Sequence, residues 1–240
     1  MEQSTGIVFI SGTGLNSFLW EDLKKRMKHP VLIIDFPNDN KRGEFNSKQS
    51  LENYVKETVN TIKNWNVNNF IIIAHSVGGI VALKLVKEFT GEMKGFVAIN
   101  CVIPKNGQSY FSALPVPQRM LHGLLLRFSK VGYVQRRMMT QIFGDLPQKA
   151  ALVVIRAYTK ENKKHYRTTI KYKFPSMDRL YIKLINDKLM PSNVQDAMIE
   201  NFKATKIDTL EGGHFPMLSN TERLASILND FIYNTENVQN

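Results

Sequence analysis

The sequence predicts an α/β fold: a mostly parallel central sheet flanked by helices, with a helical cap inserted into it. Short β-branched apolar runs alternate with stretches whose apolar residues recur every three or four positions, the mark of strands joined by crossover helices. The runs are continuously apolar, which suits a sheet covered on both faces. Between about 101 and 175 the alternation lapses and only helical periodicity remains.

GIVFIS at 6–11 is the first strand and ends in the small-residue cluster Ser11-Gly12-Thr13-Gly14. A helix is expected over 17–28, then a second strand, VLIID at 31–35, closed by Pro37. Leu51, Tyr54, Val55, Val59 and Ile62 are spaced for a helix over 50–64. FIIIA at 70–74 is the most strand-like run, followed by a helix at 79–89; GFVAIN (95–100), RLYIKLI (179–185) and ATKIDTL (204–210) supply further strands, and a closing helix covers 217–233. Within 101–175, Met120, Leu124 and Phe128 fall at spacing four, as do Val134 and Met138, so this segment reads as a helical cap on a core formed by 1–100 and 176–240.

A chain of 240 residues, 43% hydrophobic and 22% charged, is read as one globular domain with a sizeable core. One cysteine, Cys101, excludes an internal disulfide framework and a cysteine-rich zinc site. No secretory signal or spanning run is recognisable, so the expectation is a cytoplasmic protein with no transmembrane segment. Net charge is +11, and its distribution is uneven: residues 101–173 carry 14 Lys or Arg against Asp145 and Glu161, whereas the rest of the chain is almost balanced. That basic stretch reads either as a solvated face or as an attractor for an anionic substrate, an acidic carrier protein or an anionic membrane surface. No nucleic-acid recognition motif accompanies it.

The chemistry is carried first by Ala74-His75-Ser76-Val77-Gly78-Gly79, between a strand and a helix. A serine hydroxyl becomes a useful nucleophile when it is exposed, deprotonated by a base and set beside an oxyanion site. A sharp strand-to-helix turn exposes it, and the turn admits only small residues two places either side, here Ala74 and Gly78. Taken alone, a serine before two glycines is also an ordinary helix N-cap.

On this motif, with alanine in place of its first glycine, the chain resembles the α/β-hydrolase superfamily, in particular its lid-bearing, carboxylesterase-like branch. The resemblance implies a triad in the order serine, acid, histidine. His214 matches in Glu211-Gly212-Gly213-His214-Phe215-Pro216-Met217, and Asp187 matches in Ile185-Asn186-Asp187-Lys188-Leu189-Met190-Pro191. Asp208 lies inside a strand pattern and Glu211 is too near the histidine loop, so Asp187 is preferred as the acid. The resemblance also implies an oxyanion hole from the backbone N–H groups of Thr13 and Val77, and no cofactor or metal. His75 is read as support for the site rather than chemistry. In the cap, Leu121, Leu124, Leu125, Phe128 and Met138, with Met120 and Met139, either line an acyl pocket or pack the cap on the core.

The function expected is hydrolysis of a small-molecule carboxylic ester through an acyl-enzyme. Two alternatives stand beside it: cleavage of acyl groups carried on coenzyme A or acyl carrier protein, and a non-catalytic receptor or regulatory partner built on the same fold.

Overall fold

In the computed structural model, which describes residues 5–12, 17–35, 50–127, 143, 145–157 and 165–237, the apolar runs pair into one six-stranded sheet. The strands are β1 (Gly6–Ile10), β2 (Val31–Ile34), β3 (Phe70–His75), β4 (Met93–Ile99), β7 (Asp178–Leu184) and β8 (Lys206–Leu210), in the order β2-β1-β3-β4-β7-β8. Every pairing between them is parallel. The order reverses between β1 and β3, and the crevice outside the strand ends at such a reversal is where open α/β sheets bind ligands.

Alternate side chains feed two cores. Val8, Ile10, Ile72, Ala74 and Phe96 pack with α2 (Leu51–Lys63), α3 (Gly78–Leu85) and α7 (Ser192–Phe202) on one face. On the other, Ile7, Phe9, Ile71, Ile73 and Val97 pack with α1 (Glu21–Lys24) and α9 (Thr221–Asn237). Double-sided burial of β1, β3 and β4 explains why their sequences show no polar alternation, whereas the edge strand β8, largely exposed, carries Lys206, Asp208 and Thr209. Phe9 stacks on Trp20 at 4.6 Å, and the Trp20 indole N–H donates to Ser11 Oγ at 2.9 Å. A core ring thus holds the loop that leaves β1 toward the site.

Several expected elements take different forms. The helix expected over 17–28 is a 3₁₀ turn, Ser17–Trp20, running into the short α1, because Pro30 disfavours helical backbone just before it and the chain tightens through Arg26 N–H to Leu23 and Met27 N–H to Lys24 bonds. The closing helix is divided at Asn220 into α8 (Pro216–Ser219) and the longer α9.

The stretch between β4 and β7 holds α4 (Tyr110–Ala113), α5 (Val116–Arg127) and α6 (Gln148–Ala157), and also an antiparallel pair that helical periodicity did not reveal, β5 (Gln108–Ser109) with β6 (Thr169–Ile170). Two-residue strands are too short to show a period in sequence. No helix among the described residues is long and apolar enough to cross a membrane.

Candidate active site

The loops leaving β3, β7 and β8 meet at the carboxyl edge of the sheet, and they bring Ser76, Asp187 and His214 together. His214 Nε2 lies 3.0 Å from Ser76 Oγ, and His214 Nδ1 lies 2.6 Å from Asp187 Oδ2. An ionised carboxylate only accepts, so Nδ1 carries the hydrogen and, in the neutral ring, Nε2 presents its lone pair to the hydroxyl. Asp187 and His214 are both buried, while Ser76 is only partly so.

Burial pushes the Asp187 carboxyl up, but the His214 imidazole and the backbone N–H groups of Leu189 (2.7 Å) and Met190 (3.2 Å) outweigh it and hold the group below its ordinary value. Asp187 therefore stays ionised and acts as a fixed negative charge. The competing acids sit elsewhere: Asp208 Oδ1 accepts from the neighbouring Thr209 N–H, and Glu211 is exposed. Among the described residues no cluster of His, Cys, Asp or Glu could hold a metal ion.

A family model described as the alpha/beta hydrolase family matches residues 7–227. The chain belongs to that family. The fold of this α/β hydrolase is shared with an extracellular α/β-hydrolase from a Paenibacillus species, at 16% identity and TM-score 0.82 over 94% of this chain and 98% of that one. A methylesterase from Arabidopsis aligns at 14% identity and TM-score 0.73, over 95% and 99% of the two chains. A pyrethroid hydrolase from Sphingobium faniae aligns at 21% identity and TM-score 0.67, over 95% and 97%. Among curated proteins no sequence matches this α/β hydrolase.

The turn that carries Ser76 is bent as its sequence requires. Ser76 has φ 51°, a left-handed conformation that costs an ordinary L-residue about 1–2 kcal/mol and persists only where its surroundings enforce it. Here its N–H donates to Ile99 O at 3.2 Å, and its own carbonyl accepts from Gly79 and Val102. A Cβ on Gly78 would lie 2.7 Å from Ser11 O and 2.8 Å from Ile10 O, so only glycine lets β1 pass so close. Val77 N–H has no backbone acceptor among the described residues and stands at the start of α3.

Thr13, Phe128 and Met138 lie outside the described residues, as do the side chains of Leu124 and Leu125; Leu121 is half-buried on α5. A cleft of about 1040 Å³ touching Lys105, Tyr172, Phe174, Arg179 and Lys203 opens at the opposite, amino-terminal edge of the sheet and holds none of the three hydrogen-bonded side chains.

Four further residues of this α/β hydrolase bear on the site. The fully buried His75 donates from Nε2 to the carbonyl of His214 at 2.8 Å. Asp145 Oδ2 accepts from Gly213 N–H at 2.6 Å, and Phe143 packs on Phe215 at 5.0 Å, so the segment preceding β7 grips the histidine loop. Asn100, after β4, donates to Asp187 Oδ2. Asp145 and Asn100 were not singled out in sequence. Neither stands in a motif, although Asn100 directly follows an apolar run, where a strand end would be sought. Cys101 is buried, its thiol donates to Ala74 O at 3.2 Å and burial pushes its pKa up, so it packs rather than reacts.

Burial, and then the neighbouring His214, lower the His75 pKa from its ordinary value of 6.5 to about 3. The folded protein therefore keeps His75 neutral while the unfolded chain protonates it. Its stabilising contribution is complete above pH 6.5 and is lost as pH falls from there toward 3. Urea unfolding of wild type and His75→Gln should show the wild type losing about 1.4 kcal/mol more per pH unit below that point. Equal slopes in the two proteins would mean that His75 does not titrate on unfolding.

Proposed function

We propose that this α/β hydrolase is a serine esterase that cleaves carboxylic esters of small molecules through Ser76, His214 and Asp187. The observation that carries the reading is the unbroken hydrogen-bonded chain from Ser76 Oγ through both ring nitrogens of His214 to Asp187. Esters are preferred as substrates because solved relatives bear the names methylesterase and polyneuridine aldehyde esterase.

As Oγ attacks the acyl carbon, His214 Nε2 takes its proton, and Asp187 stabilises the resulting imidazolium. The oxyanion is held by the Val77 N–H beside the start of α3 and, as the family resemblance implies, by Thr13 N–H. Collapse breaks the ester C–O bond, and the alcohol leaves with the proton from Nε2. Water then gives a proton to Nε2 and attacks the acyl-enzyme; release of the acid returns that proton to Ser76.

A fluorophosphonate probe, which loses fluoride to an activated serine, should label the Ser76 peptide by mass mapping. A chain-length series of p-nitrophenyl esters should be turned over, best at small to medium acyl length. Absence of label together with absence of turnover on every ester and thioester would defeat the proposal.

A further inference from the structure

We infer that Asn100 is a positioning residue for the site, its side-chain amide holding Asp187 Oδ2 so that the carboxylate is shared between Asn100 and His214. The inference rests on the serine-hydrolase reading above and adds a fourth side chain to it.

Asn100 directly follows β4, is fully buried, and has φ 43° with its N–H bonded to Ile182 O at 3.0 Å. Its Nδ2 donates to Asp187 Oδ2, the oxygen that also accepts from His214 Nδ1. Because an ionised carboxylate cannot donate, the amide nitrogen must be the end that faces it, which fixes the orientation of the side chain. The other end, Oδ1, is buried with no hydrogen-bond partner among the described residues. Leaving an acceptor unpaired is costly, so packing alone does not account for the residue.

The backbone narrows the choice of side chain further. Left-handed backbone favours Gly, Asn and Asp. Glycine offers Asp187 no donor. Aspartate would set a second carboxylate against the first, and two such groups cannot both ionise at low cost. Asparagine alone fits the turn and donates without adding charge.

With Leu189 and Met190 N–H on Oδ1, and Asn100 and His214 on Oδ2, both oxygens of Asp187 are fully occupied. Asn100 thereby tempers the pull of Asp187 on the His214 proton. The other titratable groups facing the pair are His75, Cys101 and Tyr181, all buried; burial keeps each neutral near pH 7. Asp196 is paired with Lys183, and Lys188 is exposed.

Deleting the amide should make the carboxylate a stronger partner for imidazolium, so the His214 proton leaves at higher pH. Asn100→Gly removes the amide and keeps the backbone freedom; Asn100→Ala makes the same deletion with a Cβ if the glycine variant does not fold. The acid limb of kcat/KM and the titration of the downfield Nδ1–H proton resonance should both move up by about one pH unit. At the alkaline plateau, kcat/KM should fall less than about tenfold.

A lower Tm with both titrations unmoved would overturn the inference and leave Asn100 a packing residue. The resonance needs no substrate, so it tests Asn100 even if fluorophosphonate fails to label wild-type Ser76, a result that would count against the esterase reading alone.

Discussion

Ser76→Ala and His214→Ala should each lower kcat on an ester by about 10⁴- to 10⁶-fold, and the double variant should be no slower than the slower single one. The non-additivity follows from the geometry. With Nε2 at 3.0 Å from Oγ, the base has no second task once the hydroxyl is gone, and the hydroxyl has no other described base within hydrogen-bond reach once the imidazole is gone. Residual catalysis should persist at roughly 10³-fold over water, because the proposed oxyanion donors survive both changes. Steady-state kinetics on the best p-nitrophenyl ester, with circular dichroism to verify folding, measures all three variants. Multiplicative losses in the double variant would show that the two side chains act independently, against the relay drawn here.

The second large effect is expected on folding. Gly78→Ala should destabilise the protein by about 3 kcal/mol, the upper range for forcing a methyl group into packed atoms. The new Cβ would meet Ser11 O at 2.7 Å and Ile10 O at 2.8 Å, both backbone atoms at the end of a central strand that no rotamer change can move. Relief requires β1 to withdraw from the Ser76 turn, so activity should fall as well, through the loop that carries Gly12 past Ser76. For a chain of this size the loss corresponds to a Tm lower by roughly 6–12 °C. Gly91→Ala is the control, since its Cβ would meet nothing within 4 Å, and it should shift stability by no more than about 0.5 kcal/mol. Equal thermal denaturation midpoints for the two variants would refute the close-approach argument.

Much of the fold was legible because it is written in local patterns. FIIIA followed by a small-residue turn and an apolar helix specifies a buried parallel strand and its crossover from neighbouring residues alone. The same applies to the loops bearing Asp187 and His214, each recognisable from a few adjacent positions. The β5–β6 pair escaped because two residues are too few to show a period, and the first helix is shorter than its apolar spacing suggested because its end is set by Pro30 and 3₁₀ bonds. Asp145 escaped for another reason: it looked like one of two stray acids in a basic stretch, and only its contact with Gly213, 68 residues away, gives it a role.

What the sequence determined by itself was the α/β class, the order of the strands along the chain, and the residue types available at the end of each strand. Tertiary structure alone decided that Asn100 meets Asp187 across 87 positions, that His75 supports the carbonyl of His214 across 139, and that β1 leaves no room beside Gly78. The physical reason is that propensity and periodicity act between near neighbours. Which distant side chains share a hydrogen bond is set by strand order and register, and these follow from how the whole chain buries both faces of its sheet.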